Sequence, residues 1–242
     1  MTTGTDGCAC HDDLGVKRVV VTDELLKKLT GVSVPTISGI LRRLGYRNTF
    51  LAGLSPRTSA QNFAGRAFTA RALPTRKDVT PTPLHRRAFE TIAAGDVLVI
   101  DARGDLSARV TGDILATRLK YRGAAALVAD GAVGDLAALQ AVGLPVYSRG
   151  STPVSFGESH VMADLNIPVS CAGVLILPGD VLVGDAEGVI AIPSSLAAQV
   201  AEDGAETERR DEFSRRKVEA GHSLNEAYPL NEKLRAEYEK TK

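Results

Sequence analysis

Tryptophan is missing from this 242-residue chain, and aromatic side chains make up only 5% of it, which excludes an extended platform for stacking unpaired bases. A net charge is missing as well. Lys plus Arg and Asp plus Glu both total 29, so no surplus of cations is present to neutralise a phosphate backbone, and nucleic acid is not an expected partner. No apolar run approaches the roughly 18 to 20 residues that cross a bilayer. The first thirty residues contain Asp, Lys and His where a secretory leader has an apolar stretch. The expectation is a cytoplasmic protein without membrane contact. Cysteine is scarce, at Cys8, Cys10 and Cys171, and an odd count at such spacing makes no disulfide framework. Cys8-Ala9-Cys10-His11 brings at most three soft ligands together, short of the four a closed zinc site uses. Cys171, inside an apolar run, reads as a small core residue.

What is present is Val, Ile, Leu and Ala in short runs, punctuated by 23 glycines. Residues 1–16 are polar and read as a flexible leader, with one domain over 17–242. Thr22 caps an expected helix through Leu29, and Ser33 opens a second one, with Pro35 in its first turn and Gly45 at its stop. Residues 64–72 alternate as a half-buried strand does. From there short apolar runs alternate with helical segments: a helix from His85, a strand at Val97 to Asp101, a helix from Ile114 closed by Gly123, a strand at Ala124 to Ala129, a turn at Asp130 to Gly134, a helix from Asp135 to Gly143, and a strand at Pro145 to Tyr147. That order predicts an α/β core with parallel strand pairing. Beyond 150 the texture predicts strands and tight turns without helices, until Ser194 or Ser195 caps a long charged helix toward Arg216.

Two helix starts carry the chemistry. Gly112 precedes Asp113, so the amides of Asp113, Ile114 and Leu115 have no partner within their helix and face outward, a place for a carboxylate or phosphate. Asp135 opens the next helix, directly after a buried strand, where ligands collect in α/β sheets and where a carboxylate holds a hard divalent cation. A plain N-cap is the competing reading of each.

The ordered set Gly112-Asp113-Ile114-Leu115, Lys120-Tyr121-Arg122-Gly123, Ala129-Asp130-Gly131-Ala132-Val133, Leu144-Pro145-Val146-Tyr147 and Pro178-Gly179-Asp180 to Gly188-Val189 resembles the RraA-like family over roughly residues 30–230. That family includes regulators of ribonuclease activity and class II 4-hydroxy-4-methyl-2-oxoglutarate aldolases. The resemblance implies a swivelling β/β/α-type core with N-terminal helices and a long C-terminal helix. It also implies Asp135 as the ligand of Mg²⁺ or Mn²⁺, Asp113 behind it through water, and the amides at Gly112 to Leu115 as the seat of a pyruvyl carboxylate. The implied reaction releases pyruvate from a 4-hydroxy-2-keto acid or 2-keto-3-deoxy sugar acid, with oxaloacetate decarboxylation open to the same electron sink. The implied assembly is a homotrimer or dimer of trimers, in which a glutamate of a neighbour's C-terminal helix, Glu208 or Glu212 here, reaches the metal's waters.

This chain departs from the family at Gly134, where the resemblance calls for an arginine against the substrate oxygens. Three readings follow: another arginine, Arg149 or Arg109, compensates; the substrate differs; or aldolase activity is weak or absent. The purely regulatory relatives lack the metal aspartate, so Asp135 favours an enzyme over a noncatalytic protein that binds an RNA-processing enzyme. His160 and His222 are tempting proton carriers, but isolated histidines more often pack or face solvent.

Overall fold

In the computed structural model, which describes residues 14–16, 19–59 and 62–241, Thr22 accepts from the Leu25 amide at 3.3 Å and opens α1 (Asp23–Thr30). Ser33 caps α2 (Val34–Arg43) through the Thr36 amide, and Pro35 sits in the first turn, where its missing N–H costs no bond. The two-residue strand β1 (Ser55–Pro56) follows, then β2 (Phe63–Pro74), α3 (Leu84–Thr91), β3 (Asp96–Arg109), α4 (Asp113–Tyr121), β4 (Ala126–Val133), α5 (Leu136–Val142) and β5 (Val146–Ser151). The segment Cys8 to His11 lies outside the described residues.

Strands β2, β3, β4 and β5 pair in parallel, as the alternating pattern requires. Past β5 come a four-residue helix α6 (Phe156–Ser159) and a strand β6 (His160–Leu165) that pairs antiparallel with β2. Sequence texture concealed both, because so short a helix shows no periodicity. The hairpin β7 (Val169–Cys171) and β8 (Val174–Ile176) stands as a separate small sheet, and β9 (Val181–Asp185) with β10 (Gly188–Ile192) extends the main one to the order β1-β5-β4-β3-β2-β9-β10.

Three layers result. Helices α3, α4 and α5 bury Phe89, Leu119 and Leu139 against Leu98, Ile100 and Leu127 on one face of the sheet. The β7–β8 hairpin lays Val169, Cys171 and Ile176 on the other face, over Val97, Val99 and Val128. This is the expected α/β arrangement, and Cys171 is the fully buried core residue its apolar surroundings suggested. Burial pushes its thiol well above the usual range, so it stays protonated.

The long helix α7 (Ala197–Glu219) packs with α1 and α2 over β9 and β10. Neither serine caps it. A 3-10 turn over Ser194–Leu196 precedes it, and the Ser194 amide donates to Asp180 Oδ1 at 3.2 Å. The short helices α8 (Leu224–Ala227) and α9 (Glu232–Glu239) fold back on α7, burying Phe213 against Leu234 and Tyr238.

Strand β4 runs four residues past its expected end at Ala129, through most of the expected turn, and all eight of its residues are buried. Strand β3 is longer still. Its register against β4 shifts between Asp101 and Asp105 and again between Asp105 and Arg109, next to the left-handed residues Arg103 and Gly104. Such irregularities re-aim the side chains beyond them. Here they deliver Arg109 to a position opposite Ala132, at the carboxyl end of the sheet.

Candidate active site

Two connections leave the carboxyl ends of β3 and β4 side by side, the place where open α/β sheets bind ligands. The first runs Val110-Thr111-Gly112 into α4, the second Gly134-Asp135 into α5. They are laced together by Val110 N–H to Ala132 O at 2.8 Å and Gly134 N–H to Thr111 O at 2.9 Å. Gly112 is extended and offers α4 no side-chain cap, and the first intrahelical bond is made by Ala116 N–H to Gly112 O at 3.1 Å. The amides of Asp113, Ile114 and Leu115 therefore have no partner within the helix, at its positive end. They border a cleft of about 320 Å³ that His85, Arg86, Arg109, Asp113, Asp135 and Phe156 also line.

Asp135 is a left-handed residue, φ 55° and ψ 40°, a conformation uncommon outside glycine, though aspartate tolerates it better than most. That backbone turns its carboxylate over Gly112. A Cβ on Gly112 would stand 2.3 Å from Asp135 Oδ2, so only glycine leaves the carboxylate its seat. The other oxygen, Oδ1, accepts from Arg109 Nη1 at 3.1 Å. Arg109 Nη1 also reaches Pro153 O at 3.3 Å, and its backbone N–H is held by Val154 O at 2.9 Å.

Gly134 and Arg109 share one volume. A Cβ on Gly134 would meet Arg109 Cδ at 2.3 Å and Nη1 at 3.1 Å. The space that a side chain at 134 would enter is already filled by an arginine from the neighbouring strand. Its guanidinium stands at the same cleft wall, beside the same aspartate.

The other residues singled out by sequence scatter. Arg149, on β5, turns away from the cleft and binds Asp130, which is only 4% exposed and calls for a counter-charge. Glu208 accepts from the Ser33 amide at 3.0 Å and the Ser33 hydroxyl at 2.7 Å. These bonds to the start of α2 outweigh partial burial and hold its carboxyl below the usual range. Glu212 faces outward on α7 with Arg215 and Arg216. His222 lies 3.8 Å from Glu226, far along the C-terminal segment. His160 is buried at 2% exposure, and neither ring nitrogen has a hydrogen-bond partner among the described residues. His85, an ordinary helix residue by sequence, is the histidine that lines the cleft. The only sequence signal for it was its place in the first turn of a helix that follows a parallel strand.

Residues 21–191 match the RraA-like family, described as Aldolase/RraA. The chain belongs to that family. A relative from Halalkalibacterium halodurans, named "Putative 4-hydroxy-4-methyl-2-oxoglutarate aldolase", is 36% identical over 132 residues, 54% of this chain and 62% of that one. A Thermus thermophilus protein of the same name is 31% identical over 152 residues, 61% of this chain and 92% of that one. The first relative is thus matched over about six-tenths of its length. Among solved structures, Streptomyces coelicolor RraAS2, titled an unusual member of the RNase ES inhibitor RraA protein family, superposes with a TM-score of 0.76 at 32% identity, covering 82% of this chain and 99% of that one.

Among the described residues no group of three or more His, Cys, Asp or Glu side chains could hold a metal ion. Mg²⁺ does not require one, since it keeps several waters and takes one or two protein carboxylates beside substrate oxygens. The RraA-like cleft meets that requirement. The recess above Gly112, which a Cβ would fill, holds the Asp135 carboxylate, and Asp113 shares the cleft.

Proposed function

We propose that this RraA-like protein is a lyase that cleaves a 4-hydroxy-2-keto acid, or a 2-keto-3-deoxy sugar acid, to pyruvate and a carbonyl product with the help of Mg²⁺ or Mn²⁺. One observation carries the reading: the Arg109 guanidinium occupies the side-chain volume of position 134 and lies against Asp135. The arginine that the family resemblance calls for at position 134 has a counterpart in space, so the departure at Gly134 leaves a positive charge at the cleft.

The amides of Asp113, Ile114 and Leu115 bind the substrate carboxylate, and Arg109 faces the keto oxygen, where negative charge grows as the carbon–carbon bond breaks. A preorganised donor at such a place contributes on the order of 10²-fold or more to the rate. Asp135, with Asp113 beside it, would hold the divalent cation, which when bound polarises the keto group as a Lewis acid. The same electron sink accepts the pair released by decarboxylation of oxaloacetate. The proposal includes a homotrimer or dimer of trimers. Of the two candidate glutamates, Glu212 stands on an exposed helix face open to a neighbour, whereas Glu208 is committed to its own α2.

The test is pyruvate release from 4-hydroxy-2-keto acids, 2-keto-3-deoxy sugar acids and oxaloacetate with added Mg²⁺, with Asp135→Ala and a chelator alongside. Asp135→Ala and the chelator should each abolish release. Release that persists unchanged in Asp135→Ala rejects the metal assignment. Release from no substrate rejects the lyase and supports the second reading, a noncatalytic regulator, which the likeness to the S. coelicolor protein favours.

A further inference from the structure

His85 stands in the first turn of α3 on the wall of the cleft that Arg109 and Asp135 also line, and three contacts fix its ring. Nε2 lies 2.8 Å from Val110 O, in the segment that leads to Gly112. The ring stacks on Phe156 with centroids 3.9 Å apart and planes 5° from parallel, and it meets Phe89 edge-on at 5.4 Å. A carbonyl oxygen only accepts, so Nε2 must carry the hydrogen in that bond. In the neutral ring the lone pair is then on Nδ1, for which no partner is present among the described residues.

The surroundings keep this imidazole neutral. Burial is the largest influence and lowers its proton affinity; the bond to Val110 O opposes this, and the charges of Arg86 and His160 lower it further. The helix N-terminus acts in the same sense. The charged and titratable groups around the ring are Arg86 on its own helix, His160 at the start of β6, Arg109 at the end of β3, Asp113 on α4 and Asp135 before α5. Of the two carboxylates, Asp135 is already bound to Arg109. Among the side chains that line the cleft, His85 is the one that is both a neutral base and rigidly held.

We propose that His85 is the proton carrier of the cleft: Nδ1 takes the 4-hydroxyl proton of the bound 4-hydroxy-2-keto acid and later returns it to C3 of the product. The proposal rests on the lyase reading above. As the O–H bond breaks, its electron pair forms the new C4 carbonyl. The C3–C4 pair moves into a C2–C3 double bond, and the keto oxygen, facing Arg109, becomes the enolate oxygen. After the carbonyl product departs, imidazolium Nδ1–H protonates C3, the enolate collapses to the keto acid, and the ring is neutral again. No proton or electron is left over.

His85→Gln tests this, because the glutamine amide keeps a donor for Val110 O while removing the base. Cleavage of the 4-hydroxy-2-keto acid should fall on the order of 10²- to 10⁴-fold in kcat. Oxaloacetate decarboxylation, which has no hydroxyl proton to remove before its bond breaks, should stay close to the wild-type rate. A second readout needs neither metal nor turnover. The nitrogen–proton NMR correlations of the histidine rings in the metal-free protein should show His85, identified by its loss in the variant, as a neutral Nε2–H tautomer at neutral pH. An Nδ1–H tautomer, an imidazolium ring, unchanged cleavage in His85→Gln, or an equal fall in both reactions would each overturn the assignment while leaving the lyase reading in place. Wild-type protein that releases pyruvate from neither substrate would overturn both.

Discussion

Replacing Gly134 by alanine adds one methyl group at a point 2.3 Å from Arg109 Cδ. The overlap has two outlets. If Arg109 holds its place, the backbone of the Gly134 turn must shift, and overpacking of this kind costs about 1–3 kcal/mol. If Arg109 swings out instead, it gives up its 3.1 Å bond to Asp135 and its 3.3 Å bond to Pro153 O. Both partners of the ion pair are about a third exposed, at 29% and 37%. At that exposure the pair contributes only about 0.2–1 kcal/mol, so the second outlet is the cheaper one. Gly134→Ala should therefore destabilise the fold by less than about 1 kcal/mol, yet reduce catalysis on the order of 10²-fold, because the guanidinium leaves the place where charge develops. In an Arg109→Ala background the same methyl group meets empty space. Gly134→Ala should then have no further effect on either quantity. Urea unfolding and pyruvate release over the four proteins of this cycle measure both couplings. Stability effects that add within about 0.5 kcal/mol, together with activity losses that multiply, would refute the claim that Arg109 fills the volume of position 134. The same overlap predicts that Gly134→Arg alone fails to improve the site, and that a gain requires truncating Arg109 as well.

The remaining expectations concern other close approaches and one titration. Gly112→Ala places a Cβ 2.3 Å from Asp135 Oδ2; the mutant should keep its fold but lose Mg²⁺ affinity, and calorimetric titration with unchanged affinity would refute the cradle. His85 has a proton affinity lowered in the folded state, so the unfolded chain binds that proton more tightly. Its stability contribution is complete above the ordinary value near 6.5 and is lost as pH falls through the lowered native value. Urea unfolding of His85→Gln between about pH 8 and pH 5 should show a shallower acid decline than the wild type. Gly204 lies inside α7, where alanine normally stabilises a helix by about 1 kcal/mol. Here its Cβ would meet Val32 Cγ1 at 2.6 Å and Cγ2 at 2.9 Å. The sign should reverse, with Gly204→Ala lowering Tm, and a raised Tm would show that α7 is free to move off the loop between α1 and α2.

How much of this was legible in sequence follows from the range of the forces involved. Thr22, Ser33, Gly123 and Gly143 mark helix ends through bonds and dihedrals that span three or four residues, so those ends were readable and fall within a residue or two of expectation. The buried runs at Val97 and Leu127 announced parallel strands, because strands covered on both faces are apolar throughout. The ends of those strands were not readable. Asp101 in β3 and Asp130 in β4 look like turn chemistry, yet each is held in the ladder by a partner far away in sequence: Asp101 by the Ser170 amide at 3.4 Å, Asp130 by the Ala172 amide at 2.8 Å and by Arg149. Polar residues satisfied in this way extend a strand that local propensity would end.

The same long-range pairing explains why the sequence around Gly134 left its replacement open. Read along the chain, Gly134 is the loss of a side chain, and Arg149 and Arg109 are equivalent replacements. Two register shifts in β3 decide between them, since they bring Arg109 level with Ala132, while the buried charge of Asp130 draws Arg149 to another part of the sheet. An arginine is supplied to this cleft by the sheet instead of by the turn. A guanidinium rooted in a strand is tethered at a different angle from one rooted beside the aspartate. On the proposed lyase function, the two arrangements serve the same enolate oxygen while leaving different room in the rest of the cleft, which His85, Arg86 and Phe156 also line.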